Sequence, residues 1–307
     1  MTRWDPTAID EADFLPEPFR TADQASVEAQ RQTLRWYRGM ILMLVVAAAV
    51  SAVIAPSSSG HGSAAPFVSV AAFLLAGYFW ARLRRANPQA RWYEARAAAE
   101  SVKTLAWKYT VRAHPFDGPA DSPEVDEWYR EQVAGVLRTF EAGGSLPPDA
   151  APEITDGMRQ LRAADLTARR TMYLRLRVQG QRTWYLAKAD ACESQAVSWG
   201  LGTVALLIVG GAAAVAQALG AISVSIFGAC SAAAAAVIAW TQLKQLRPLV
   251  SAYQLAAREL DQVWGRLSTL DLNVPDAEAG WARLAGEVED AVAREHTSWR
   301  ARRAFPQ

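Results

Sequence analysis

The chain has 307 residues with 32 basic and 31 acidic side chains, and a formal net charge of +1 offers no bulk attraction to nucleic acid. Although 51% of the residues are hydrophobic, the mean hydropathy is only −0.01, because apolar residues gather in two blocks and charges fill the segments between. The cysteines, Cys192 and Cys230, and the histidines, His61, His114 and His296, lie too far apart for a disulfide framework, a zinc spacing or a histidine-based catalytic site.

Residues 1–22 read as an acidic, proline-punctuated tail carrying Asp5, Asp10, Glu11, Asp13 and Glu17. It lacks the basic start and immediate apolar run of a secretory signal, so the terminus is expected in the cytosol. A helix is expected from Asp23, leading through Arg31, Arg35, Trp36, Tyr37 and Arg38 into an apolar run, Met40–Ala55. After loop chemistry at Pro56–Pro66 a second run follows, Phe67–Ala81. Each is short beside the ~20 apolar positions of a spanning helix, which leaves a buried soluble hairpin as the competing reading. The flanks favour a membrane. Arg31, Arg35 and Arg38 precede the first run and Arg82, Arg84 and Arg85 follow the second, while the loop has no Lys or Arg. The positive-inside rule then places both ends in the cytoplasm.

The second block, Ser194–Leu243, contains no charged side chain. It has room for two crossings, expected as Ala196–Ala216 and Ala221–Gln242 with a turn at Gln217-Ala218-Leu219-Gly220. Helix is chosen because spanning backbone must satisfy its own amides and no alternating period appears. Small residues recur every fourth position at Ala221, Ser225, Ala229 and Ala233, and at Gly210, Ala214 and Ala218. Such ridges serve close packing, either between the arms of one hairpin or between subunits. Arg182 and Lys188 before the block and Lys244 and Arg247 after it repeat the flanking of the first hairpin, as Trp199 and Trp240 repeat Trp36 and Trp80. Trp36-Tyr37 corresponds to Trp184-Tyr185, and Pro88, Tyr93 and Ala97 correspond to Pro248, Tyr253 and Ala257. The chain reads as a tandem duplication with parallel repeats.

Each hairpin is followed by a heptad stripe: Trp92, Ala95, Ala99, Val102, Ala106 and Tyr109 in the first copy, and Leu249, Tyr253, Ala256, Leu260, Val263, Leu267 and Leu270 in the second. These stripes can pack within the chain or form a stalk shared between subunits. The pattern Ser122-Pro123-Glu124 starts a helix in the central linker, which ends at Gly143-Gly144. Helical pattern resumes near Thr155, is weakest at Asp165, and runs into the third span. Arg169, Arg170, Arg175, Arg177 and Arg182 on this approach form a solvated face or a patch for lipid head groups or another anion. Residues Asp276 to about Arg303 form one more amphipathic helix. The expected domains are thus 1–22, an acidic tail; 23–113, a first two-transmembrane repeat with its cytosolic helix; 114–153, a linker with one helix; 154–272, the second repeat; and 273–307, the C-terminal helix.

No Walker loop, HExxH, GxSxG or CxxC pair occurs. Glu94, Arg96, Glu100 and Lys103 have the spacing of a stabilised helix surface. Ionisable groups are missing from the spans, which disfavours a coupled carrier but leaves open a pore lined by small polar residues and backbone. No residue is assigned a catalytic, cofactor-binding or metal-binding role.

The run Arg91-Trp-Tyr-Glu-Ala-Arg-Ala-Ala-Ala-Glu-Ser-Val-Lys-Thr-Leu-Ala-Trp-Lys-Tyr109, the segments Ile154-Thr-Asp-Gly-Met-Arg-Gln-Leu-Arg162 and Gln181-Arg-Thr-Trp-Tyr-Leu-Ala-Lys188, and the ending Arg294-Glu-His-Thr-Ser-Trp-Arg-Ala-Arg302 resemble the SLATT family of bacterial two-transmembrane domains. The resemblance covers most of the chain after the first twenty or so residues, and the two domains appear in tandem. It implies an all-α, four-span protein of the bacterial inner membrane, with both termini and a helical bundle in the cytosol. It further implies a homo-oligomeric pore-forming effector of a bacterial defence system, not an enzyme, triggered through a nucleotide-signalling sensor or synthetase partner. A membrane-anchored scaffold that presents cytosolic helices and conducts nothing is the alternative.

Overall fold

Local chemistry sets most of the helix boundaries. The computed structural model describes residues 11–54, 65–141, 153–222 and 226–303. The helices are α1 (Glu11–Phe14), α2 (Glu17–Ile54), α3 (Ala65–Ala86), α4 (Pro88–Thr110), α5 (Pro123–Glu141), α6 (Asp156–Ala163), α7 (Leu166–Met172), α8 (Gly180–Ala218), α9 (Ile226–Lys244), α10 (Leu246–Ser268) and α11 (Ala277–Arg303), with a π-helical stretch, Tyr173–Gln179, between α7 and α8. Among the described residues there is no strand. The start of the acidic tail, most of the first hairpin loop, the linker segment 142–152 and Ser225 lie outside the described residues.

Short polar side chains begin the central helices. The Ser122 hydroxyl accepts from the Val125 amide at 3.3 Å, the Thr155 hydroxyl from Met158 at 3.2 Å, and the Asp165 carboxylate from Ala168 at 2.8 Å. Each satisfies an amide that the first helical turn leaves without a partner. Asp165 is therefore where the approach to the third span breaks and restarts.

The end of α8 also follows the expected turn. Gly220 adopts φ +73°, Ala221 donates to the Ala216 carbonyl at 2.9 Å, and Gly220 donates to Gln217 at 3.0 Å. These paired bonds form a Schellman cap, and glycine is the residue that takes the left-handed position without steric cost. The expected start of the return arm at Ala221 falls instead on this cap, and α9 is described from Ile226.

Helix breaks stand just before the corresponding prolines Pro88 and Pro248. Asn87 (φ 37°) separates α3 from α4, and Gln245 (φ 51°) separates α9 from α10. A left-handed residue turns the chain, and each proline follows inside the first turn of the next helix, where its missing amide costs little.

The chain divides into two compact units. One comprises residues 1–30, 89–185 and 255–307, the other residues 31–88 and 186–254. The core of the first is an edge-to-face chain of rings. Phe14 and Trp107 have centroids 4.7 Å apart, Trp107 and Tyr173 5.5 Å, and Tyr173 and Trp281 5.8 Å. All four side chains are buried, and such contacts add to the gain from burying their area. The first heptad stripe supplies Ala95, Ala99, Val102, Ala106 and Tyr109 to this interior, and the second supplies Ala256, Leu260 and Leu267. Phe14, Leu15 and Ala22 are buried as well, so ordered structure precedes Asp23 and the second helix begins at Glu17.

Candidate functional site

The second unit carries apolar surface that water does not favour. Among the described residues, four helical stretches are long and apolar enough to cross a membrane, within Glu17–Ala52, Pro66–Ala86, Leu166–Ala218 and Ile226–Ser268. Between 6% and 11% of their most apolar windows is buried in the chain. Phe67, Phe73 and Leu74 on α3 and Leu201, Ile208 and Val215 on α8 are all exposed. Contiguous exposure on this scale marks a surface meant for another apolar phase.

Within each hairpin a glycine permits close approach. A Cβ added at Gly39 would stand 2.9 Å from the Phe79 ring, and one at Gly210 would stand 2.9 Å from the Cys230 Cβ. Of the small-residue ridges, Gly210 is buried and Ala214, Ala229 and Ala233 are half-buried, whereas Ala218 and Ala221 are exposed, so the ridges make contact over only part of their length. The Ser51 and Ser69 hydroxyls lie 3.2 Å apart and reach the Ala47 carbonyl at 2.8 and 3.3 Å, which ties α2 to α3. Van der Waals packing and such interhelical hydrogen bonds drive association where no hydrophobic expulsion acts.

The basic flanks meet tryptophan. The Arg82 guanidinium lies 5.0 Å from the Trp36 ring centroid and that of Arg38 lies 5.0 Å from the Trp240 centroid. Lys244 Nζ donates to Gln195 Oε1 at 2.6 Å. Arg38 and Trp240 belong to different hairpins, so the basic ends of both hairpins come together.

In the first unit the approach to the third span is a buried polar core, not a solvated face. The C-terminus of α4 leaves carbonyls without helical partners, at the negative end of a helix dipole. Arg162, 1% exposed, donates to the carbonyls of Tyr109, Phe116, Gly118, Pro119 and Ala120 at 2.6–3.3 Å. Burial pushes its guanidinium down to about 10, which leaves it charged at neutral pH. Arg169 donates to the Val111 and Ala164 carbonyls at 3.0 and 3.1 Å and to Glu278 on α11, and Trp281 Nε1 donates to Val111 at 2.8 Å. Arg177, in the π-helical stretch, pairs with Glu289, which also accepts from the Tyr173 hydroxyl at 2.8 Å. Arg170 donates to the Leu270 carbonyl at 2.9 Å, and Arg182 lies 2.6 Å from Asp261. The expected solvated or anion-binding patch is thus corrected at Arg169 and Arg177, which hold partners inside the fold, while Arg182 keeps an ion pair at the surface. Glu100 and Lys103 are corrected too: both are buried, with Lys103 donating at 2.6 Å to Glu11.

This arrangement of two helical hairpins with packed helical extensions agrees with the family comparison. The model for "SMODS and SLOG-associating 2TM effector domain 3" matches residues 16–170, just over half of the chain, and that for effector domain 1 of the same series matches residues 173–299. The chain belongs to the SLATT family. It is a membrane protein made of two SLATT effector domains in tandem, each supplying one hairpin. Two different SLATT models match the halves, so the repeats are distinct members of one series. The boundary between the matches, after Arg170 and before Tyr173, falls where α-helix gives way to π-helix. No curated protein and no solved structure matches the chain.

Proposed function

We propose that the protein is a homo-oligomeric, non-enzymatic effector of a bacterial conflict system that forms a pore in the cytoplasmic membrane when a nucleotide-signalling partner triggers it. Both termini and the segment between the hairpins lie in the cytosol, as the basic flanks and uncharged outer turns favour. The family description, an effector domain that associates with SMODS and SLOG, supports the effector role and the type of partner.

The observation that carries self-assembly is a set of glycines whose open sides face no neighbour. A Cβ added at Gly77, Gly200, Gly211 or Gly228 meets nothing within 4 Å. Gly200 and Gly211 are both exposed on α8, and their eleven-residue separation puts them about 20° apart around a helix, on one face. A face of that kind lets another backbone approach closely in lipid.

The test is expression in a bacterial host, read by a membrane-potential dye and by native gel migration. The wild type should depolarise the membrane and migrate as an oligomer, whereas Gly200→Leu with Gly211→Leu should reach the membrane equally and do neither. An oligomer-free wild type that leaves the potential intact, even with its nucleotide-signalling partner present, would favour the non-conducting scaffold.

A further inference from the structure

Two cations converge on one buried indole, and among the described residues neither is ion-paired with a carboxylate. Trp240 is 6% exposed, the Arg38 guanidinium lies 5.0 Å from its centroid, and Lys244 Nζ lies 5.7 Å from it. Lys244 is bonded to the neutral Gln195 amide oxygen, and among the described residues Arg38 has no ion-pair partner. The same imbalance extends through the unit. Its two segments contain nine lysines and arginines against Asp190 and Glu193, and all nine flank the spans, away from the outer turns.

An aromatic face attracts one cation modestly, but two cations on the same ring repel each other, and the repulsion grows where water is excluded. An anion between them removes that repulsion. Apolar surface begins immediately beside the pair: Leu42, four residues beyond Arg38 and therefore one turn along the same face, is 57% exposed. We propose that Arg38, Lys244 and Trp240 form a headgroup site for an anionic phospholipid where the two hairpins meet, with the phosphodiester between the cations and an acyl chain along Leu42. The combination of an interfacial tryptophan, cations without a carboxylate partner and adjoining apolar surface selects a lipid over a soluble anion. The inference rests on the membrane location of this unit and does not depend on pore opening.

Native mass spectrometry of the full-length protein in detergent, titrated with phosphatidylglycerol or phosphatidylcholine, tests it. The wild type should retain phosphatidylglycerol preferentially. Arg38→Gln with Lys244→Gln should lower that occupancy roughly tenfold or more, given the strength of each basic contact to an anionic headgroup. Arg85→Gln with Arg247→Gln, an equal loss of charge at exposed sites away from Trp240, should leave it within about twofold. Arg38→Lys should retain most binding, which separates loss of the site from loss of the fold. Equal occupancy in wild type and the Arg38/Lys244 variant, or equal loss in both double variants, would overturn the proposal. Inorganic phosphate that displaces the lipid at equal concentration would also overturn it, in favour of a soluble anion.

Discussion

Arg177 holds Glu289 by two hydrogen bonds, its Nε and Nη2 donating to the two carboxylate oxygens at 2.9 and 2.8 Å, with the side chains 3% and 0% exposed. Removing one partner of such a pair strands the other charge inside the fold. Glu289→Ala should therefore destabilise the protein by about 3–5 kcal/mol, and Glu289→Gln, which still accepts from Tyr173, should cost less. Thermal unfolding in detergent followed by circular dichroism measures both. A loss well under about 1 kcal/mol for the alanine variant would mean that water replaces the pair.

Asp126 gives the helical unit an acid-sensitive contact. Burial pushes its carboxyl up, but hydrogen bonds from the Tyr109 hydroxyl at 2.5 Å and Arg159 at 2.6 Å outweigh that and hold it below the usual range. A carboxyl depressed on folding stabilises fully above its unfolded value, about 4, and loses that contribution as pH falls below it. The melting temperature should drop between pH 5 and 3, approximate bounds set by that value, and Asp126→Asn should flatten the drop while lowering stability at pH 7. An identical acid profile in the variant would assign the transition to other carboxylates.

Leu260 and Leu219 provide an internal contrast. Leu260 is 7% exposed on the second heptad stripe, whereas Leu219 is 79% exposed in the outer turn. Leu260→Asp buries an unpaired charge and should cost several kcal/mol, while Leu219→Ser should stay within about half a kcal/mol. If the helical bundle controls the spans, the first variant should change oligomerisation or toxicity far more than the second. Equal phenotypes at matched membrane abundance would remove that control role.

Gln245 tests the break between α9 and α10. A left-handed residue with a Cβ costs roughly 1–2 kcal/mol, so Gln245→Gly should leave the melting temperature unchanged or raise it. Gln245→Val, with a β-branched side chain in the same conformation, should lower it.

Elements governed by local chemistry were legible in the sequence. The spans follow from length and apolarity, the start at Ser122 from its capping side chain, the restarts near Thr155 and Asp165 from the helical pattern, and the outer turn from Gly220. The buried arginines were not legible, because their partners are distant: Glu278 is 109 residues from Arg169 and Glu289 is 112 from Arg177. Periodicity places Arg169 and Arg177 on a helix face without saying what covers that face. Asn87 and Gln245 also escaped notice, since neither announces a left-handed turn as glycine does. The adjacent prolines were the visible signal, and they mark where the next helix has begun.

The Schellman cap at Gly220 bears on biogenesis. Its two bonds give partners to the Ala216 and Gln217 carbonyls, which the end of a helix otherwise offers to water. From Ser194 to Leu243 there is also no charge to drag across the hydrocarbon. The end of α8 can therefore meet hydrocarbon with two fewer open carbonyls to dehydrate. Passage of this helix end into the bilayer thus moves neither a charge nor those two carbonyls out of water unpartnered.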